Sequence, residues 1–183
     1  MSNSSAIMHI APHEAHQIAV HAGKGETSDM TALVQDLARR ESTSTAAVLI
    51  ASKDDFQQTA AHTAAKGGQS SKSTAGPALD IKVLSETDTP KGSIERLAEL
   101  LSTKENKTTY FNMANRFSGD RPVHTALRHG FLEVFKALVS HGADPTVKNR
   151  FGDAVMDYPG DFEPEEVQKV VDEYKSRISK EAV

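Results

Sequence analysis

Apolar residues recur every three or four positions in several segments of the chain, the spacing that places side chains on one face of an α-helix. Near the N-terminus this pattern predicts helices over residues 14–22 and 31–40, separated by the turn residues 23–25. Near the C-terminus it predicts a short helix over residues 153–158 and a longer one over residues 164–178. None of these segments needs a β-sheet to bury its apolar face, so we expect an all-α fold.

Residues 119–144 contain the clearest pattern, a helix pair followed by an extended loop. Pro122 can open the first helix, because the N–H group that proline lacks has no helical partner at that position. Gly130 ends this helix, and the second helix follows with an apolar face of Val134, Phe135, Leu138 and Val139. Gly152 lies 33 positions after Gly119, so a second copy of the pattern begins in register.

A degraded earlier copy covers residues 54–68, with Thr59 as a candidate N-cap. His62 precedes Gly68 by six positions, as His124 precedes Gly130. The second helix of this copy is predicted over residues 93–103, with a simple cap at Ser93 and an inward face of Ile94, Leu97, Leu100 and Leu101. Between the two helices lies a Ser/Gly/Lys/Thr-rich insertion, residues 69–92, which we expect to be mobile.

Residues 54–157 resemble the ankyrin-repeat family, and the resemblance is strongest over residues 115–157. The chain departs from the family pattern at Arg121, where a helix-capping Thr is usual, and at Leu127, where a small residue is usual. The resemblance implies one domain over residues 1–183, a solenoid of about four helix pairs with a flexible segment at residues 1–12. It also implies a protein-binding scaffold that holds its partner by loop tips, called fingers, and by the surface of the inner helices.

Composition narrows the classes of function. The 183 residues include no Cys, which excludes disulfides, thiolate metal sites and cysteine nucleophiles. The N-terminus has no apolar run long enough for a signal peptide and no stretch could span a bilayer, so we expect a cytoplasmic or nuclear protein without membrane contact.

Charge is distributed unevenly along the chain. Residues 153–183 carry nine acidic and four basic side chains, whereas residues 104–150 carry eight basic and four acidic, a local net charge of +4. Within the family, residues 143–152 and the acidic C-terminus are similar to a fungal ankyrin-repeat escort chaperone of a small-subunit ribosomal protein. The alternative function is therefore that of an escort chaperone for a basic ribosomal protein.

Residue patterns that suggest catalysis or cofactor binding are incomplete. His13 and His16 are three positions apart, one short of the zinc-protease spacing, and residues 67–73 lack the Gly that a phosphate loop requires before its Lys. We interpret His62 and His124 as structural, because in ankyrin helices this His hydrogen-bonds the backbone of a neighbouring repeat. We therefore expect no enzymatic activity, cofactor, metal or small-molecule substrate.

The candidate partner-binding residues lie on the loops and on the helix between them. They are Tyr110, Phe111, Arg116, Phe117, Arg121, Arg128, Lys148, Arg150 and Phe151. Aromatic and Arg residues at exposed positions commonly anchor protein interfaces. The alternative for Phe111, Phe117 and Phe151 is burial beneath the fingers. A local charge of +4 is low for a nucleic-acid ligand, so a protein is the expected partner, and under the alternative function it is a basic protein.

Overall fold

The computed structural model describes residues 8–67, 89–158 and 162–181. These residues form nine α-helices and one 3-10 helix, and none of them lies in a strand. The elements are α1 (Pro12–Lys24), α2 (Thr27–Arg40), α3 (Thr45–Ala51), α4 (Ala60–Gly67), α5 (Pro90–Leu101), α6 (Lys104–Phe111), α7 (Pro122–Arg128), α8 (Leu132–Ser140), η1 (Val155–Asp157) and α9 (Pro164–Glu181). In the described part of the chain, no helix is both long and apolar enough to cross a bilayer.

The helices pack in two parallel rows. The inner row runs α1, α4, α7 and η1, each element contacting the next, and the outer row runs α2, α5, α8 and α9. One apolar core continues through the stack, from Ile18 and Val34 in the first pair to Val167 and Val171 on α9. The predicted all-α solenoid of four helix pairs is therefore confirmed.

The first two inner helices approach each other very closely. A Cβ atom added at Gly67 of α4 would lie 1.9 Å from the carbonyl oxygen of Gly23 on α1. Ala61, Ala64 and Ala65 on α4 are fully buried in the same core. Small side chains are what allow two helix backbones to pack at this distance.

Helix α5 begins three residues before the predicted start. The Thr89 hydroxyl accepts the Gly92 N–H at 3.0 Å, and Pro90 occupies the first turn. The prediction of a cap at Ser93 was wrong, because Ser93 is a buried residue inside the helix. Most of the predicted insertion, residues 69–88, lies outside the described residues, and its last residues are the first turn of α5.

Helix α6, which the sequence pattern did not predict, buries two of the candidate partner-binding residues. Tyr110 and Phe111 lie at its C-terminal end, are fully buried, and pack edge to face with ring centroids 5.6 Å apart. The placement of Tyr110 on an exposed loop was therefore wrong, and for Phe111 the alternative of burial is confirmed. Burial also raises the pKa of the Tyr110 hydroxyl. Both rings are part of the hydrophobic core.

Candidate partner-binding surface

Three loops precede the inner elements α4, α7 and η1, and we call them the first finger (residues 53–58), the second finger (residues 112–120) and the third finger (residues 145–153). In each finger an Asp or Asn N–H donates to a carbonyl four or five residues later. The pairs are Asp54 with Gln58 at 3.1 Å, Asn115 with Asp120 at 2.8 Å and Asn149 with Asp153 at 3.0 Å. Each finger is thus a closed turn.

The side chains of the same three residues complete the turns. Asp54 Oδ1 accepts the Phe56 N–H at 2.9 Å, and Asn149 Oδ1 accepts the Phe151 N–H at 2.9 Å. In the second finger, whose hydrogen-bonded turn is one residue longer, Asn115 Oδ1 accepts the Ser118 N–H at 2.9 Å. Asp and Asn favour such turns because their short side chains reach the backbone two or three residues ahead.

Backbone hydrogen bonds join neighbouring fingers. The Arg116 N–H donates to the Phe56 carbonyl at 2.7 Å, and the Arg150 N–H donates to the Ser118 carbonyl at 2.8 Å. The Arg150 guanidinium also donates to the Arg116 carbonyl, and its Cγ lies only 2.7 Å from where a side chain on Gly119 would begin. The three fingers therefore form a single cross-linked edge.

Each finger presents one phenylalanine to solvent, two positions after its Asp or Asn. Phe56, Phe117 and Phe151 are 47%, 67% and 74% exposed, so the alternative that Phe117 and Phe151 are core residues was wrong. The Phe56 and Phe117 rings lie 5.1 Å apart between centroids. Sequence reasoning missed Phe56, although the shared Asp/Asn-x-Phe spacing would have identified it.

The candidate cations divide into two groups. Arg116, Lys148 and Arg150 are exposed on the second and third fingers. Arg121 is half-buried, and its guanidinium donates to Asn112 Oδ1 at 3.3 Å. The Arg128 side chain is 42% exposed, but its guanidinium is engaged by a network within the repeat.

The network around Arg128 is structural. Its guanidinium lies 2.6 Å from Asp120 Oδ2, donates to the Tyr158 hydroxyl at 2.8 Å and stacks on the Tyr158 ring at 4.7 Å. Burial raises the pKa of the Asp120 carboxyl, but hydrogen bonds from Ser118, Asn149 and Arg128 outweigh it and hold the pKa below its ordinary value. Arg128 therefore neutralises a buried carboxylate.

His62 and His124 occupy matching positions in α4 and α7. Nδ1 of His62 accepts the Thr59 N–H at 3.1 Å, and Nε2 donates to the Asp120 carbonyl in the second finger at 3.0 Å. His124 repeats this arrangement with the Arg121 N–H at 3.3 Å and the Val147 carbonyl at 3.1 Å. The predicted structural role is confirmed, because each imidazole ties its helix to the next finger.

A separate cluster has the residue types of a metal site. His21, Glu26 and Asp29 place one ligand atom each within 4.8 Å of one another at the corner between α1 and α2. His21 Nδ1 is 2.7 Å from Glu26 Oε2, and Lys24 also approaches that carboxylate, at 3.8 Å. A hydrogen bond between His21 and Glu26 and an ion pair between Lys24 and Glu26 account for these contacts.

The repeat that joins the second and third fingers identifies the fold. A family model described as the ankyrin repeat matches residues 118–150. In this repeat Arg121 stands at the usual Thr position and makes no side-chain cap, and the imidazole of His124 accepts its N–H instead.

A solved structure has an overall arrangement similar to that of this chain. One chain of the crystal structure of the yeast ribosomal protein Rps3 in complex with its chaperone Yar1 superposes with a TM-score of 0.60. The match covers 92% of this chain and 95% of that chain at 20% sequence identity, a level at which it shows a shared fold. No curated protein matches the chain by sequence.

Proposed function

We propose that the chain is a non-catalytic scaffold that binds another protein through its three fingers. The observation that carries this proposal is the cross-linked edge, on which backbone hydrogen bonds hold three phenylalanines in solvent. Rigid exposed aromatic and Arg residues lose little conformational freedom on binding and commonly anchor interfaces. The binding residues are Phe56, Arg116, Phe117, Lys148, Arg150 and Phe151.

The absence of catalysis belongs to the same proposal. Both ring nitrogens of His62 and of His124 are engaged by backbone groups, so neither imidazole can exchange a proton with a substrate. The buried Asp120 carboxylate is likewise engaged by Arg128 and Asn149. These groups stabilise the stack, which supports a binding function over a chemical one.

Photo-crosslinking in the protein's own cells tests the proposal. A photoreactive phenylalanine analogue replaces Phe117 in the tagged full chain, and the control carries it at Ile178, an exposed apolar residue on α9. We expect one protein to be crosslinked in good yield from position 117 and not from position 178. Equal crosslinking from both positions, or none from position 117, would contradict binding through the fingers.

An escort chaperone for a basic ribosomal protein is the second candidate function. It is favoured by the similarity to a chain in the Rps3–Yar1 complex and by the acidic face of α9. The exposed acidic residues of α9 are Glu165, Glu166, Asp172 and Glu173, with Glu163 directly before the helix and the exposed Lys169 among them. Because the second and third fingers are cationic, a basic client is expected to contact α9 rather than the finger tips.

Aggregation of purified Rps3, followed by light scattering at low and high salt, tests this second function. The chain should suppress scattering at low salt, and Glu165→Lys with Glu173→Lys should abolish the effect. The control is Asp29→Lys with Glu105→Lys, the same charge change at exposed positions on α2 and α6. Suppression that survives the α9 variant would contradict a role for this acidic face.

A further inference from the structure

Exposed apolar surface is concentrated on one side of the molecule. Among the described residues, five large apolar side chains are exposed. Three are the finger phenylalanines, the fourth is Met156 in η1 directly after the third finger, and the fifth is Ile178 on α9. Contiguous exposed apolar groups mark interaction sites more reliably than isolated ones. We call Phe56, Phe117 and Phe151 the aromatic edge.

The fold does not require phenylalanine at these positions. The turns are made by the oxygens of Asp54, Asn115 and Asn149 and by backbone hydrogen bonds. The tripeptide Asn-Arg-Phe nevertheless occurs at residues 115–117 and again at residues 149–151, and Asp-Asp-Phe occurs at residues 54–56. One apolar ring is thus placed at the equivalent position of three successive fingers, where it contributes little to the core.

The charge beside the aromatic edge is mainly positive. Arg116 and Lys148 are exposed and form no salt bridge among the described residues. Asp55 is the exposed acidic residue of the first finger, whereas the Asp54 carboxylate accepts the backbone N–H groups of its own turn. The cationic part of the edge therefore spans the second and third fingers.

We propose that the aromatic edge binds an acidic segment of a protein partner whose apolar side chains pack on the three phenylalanine rings. This inference rests on the proposed protein-binding function and specifies the chemistry of the partner. Carboxylates of that segment would pair with Arg116 and Lys148 while its apolar residues cover the rings, which gives both charge and surface complementarity.

The geometry favours a protein segment over an anionic membrane. Membrane affinity grows with the number of cations that face the surface, yet the Arg150 guanidinium turns back to the Arg116 carbonyl and Arg128 pairs with Asp120. The Phe56 and Phe117 rings also pack on each other, 5.1 Å apart, rather than projecting separately. The edge is a shaped contact surface with few free charges.

Selection from a random displayed-peptide library, with the full chain as bait, tests the proposal. We expect the enriched peptides to combine several Asp or Glu residues with aromatic or aliphatic residues. Affinity of a selected peptide should fall about tenfold or more for each of Phe117→Ser and Phe151→Ser, since each removes a buried ring from the interface. Ile178→Ser, the matched change on α9, should leave affinity unchanged.

Charge reversal tests the proposed pairing of the segment's carboxylates with Arg116 and Lys148. Arg116→Glu with Lys148→Glu should abolish binding of the acidic peptides, whereas Lys169→Glu with Lys180→Glu, the same charge change on α9, should not. Circular dichroism and thermal unfolding should be unaltered in all of these variants, because every changed side chain is exposed.

Other outcomes overturn the inference. Enriched peptides that are basic, or that bind equally well to the phenylalanine variants, would show that the edge does not select acidic segments. Failure to enrich any sequence would also contradict selection of acidic segments. So would binding of the chain to phosphatidylserine vesicles, if Phe117→Ser abolished that binding. In each case crosslinking of a protein from position 117 would still leave the proposed function standing, so the two failures are distinguishable.

Discussion

His62 couples the stability of the protein to pH. Burial lowers the pKa of its imidazole to about 4, whereas an unfolded histidine titrates at about 6.5. Between these two pKa values the unfolded chain binds a proton at His62 that the folded chain does not. The stabilisation is therefore fully present above the unfolded pKa and is lost as the pH falls toward the folded pKa. The expected loss from this residue is about 1.4 kcal/mol per pH unit in that window.

Urea unfolding followed by circular dichroism at about pH 7.5 and about pH 5 measures this effect. His62→Gln should be less stable than the wild type at the higher pH, because it loses the imidazole bonds, and should show a smaller decrease on acidification. His16→Gln, the same change at an exposed position on α1, should retain the wild-type decrease. An unchanged pH dependence in His62→Gln would contradict burial of a neutral imidazole.

Single residues show where sequence reasoning succeeds and where it fails. The structural roles of His62 and His124 were predictable from the resemblance to ankyrin repeats, and their equal spacing to the following Gly placed them at matching positions. Tyr110 and Phe111 were wrongly assigned to a loop because the other residues of α6 are polar, and the segment therefore lacks the periodic apolar residues that predict a helix. The Thr103 hydroxyl, which accepts the Asn106 N–H at 3.2 Å, is the local signal that was available.

Among the elements, the contact between α1 and α4 depends on the absence of a side chain at Gly67. Ala is a better helix former than Gly by about 1 kcal/mol, but here its Cβ would lie 1.9 Å from the Gly23 carbonyl oxygen. Because α1 would have to shift, we expect Gly67→Ala to lower the free energy of unfolding by about 1–3 kcal/mol in urea titrations.

Gly130→Ala provides the control for this prediction. Gly130 has a φ of +75° and no atom within 4 Å of an added Cβ, so the substitution should cost only backbone strain of about 1 kcal/mol. Near-equal stability of Gly67→Ala and the wild type would show that the two helices can separate without penalty.

The four helix pairs were predictable because each outer helix has a clear apolar face, whereas the short helices between repeats were not. Helix α3 follows Ser44, whose hydroxyl accepts the Ala47 N–H at 3.1 Å, and it spans only seven residues. A helix of this length is shorter than the window of about 11–18 residues in which a helical period becomes distinct. The equally short α7 was predicted instead from Pro122 and Gly130, which flank it. The last inner element illustrates the same limit, since the predicted helix is the three-residue η1.

At the scale of the whole molecule, each layer of the stack depends mainly on its neighbours, and α9 is the last outer layer. Val171 is 5% exposed at its inward face, so Val171→Asp would place a charge in the contact with α8. We expect hydrogen exchange to show lost protection over residues 164–181, with protection retained in α1 and α4, because interactions in a solenoid pass from one repeat to the next.

Ser176→Asp is the control for the added charge, since Ser176 is exposed on the same helix. This variant should leave hydrogen-exchange protection unchanged.

The effect of Val171→Asp also bears on function. If Val171→Asp releases only α9, the fingers remain intact, and binding at the aromatic edge should survive while any binding of a basic client at α9 is lost. Loss of protection throughout the chain would instead mean that the stack unfolds as one unit, and the two surfaces could not be separated in this way.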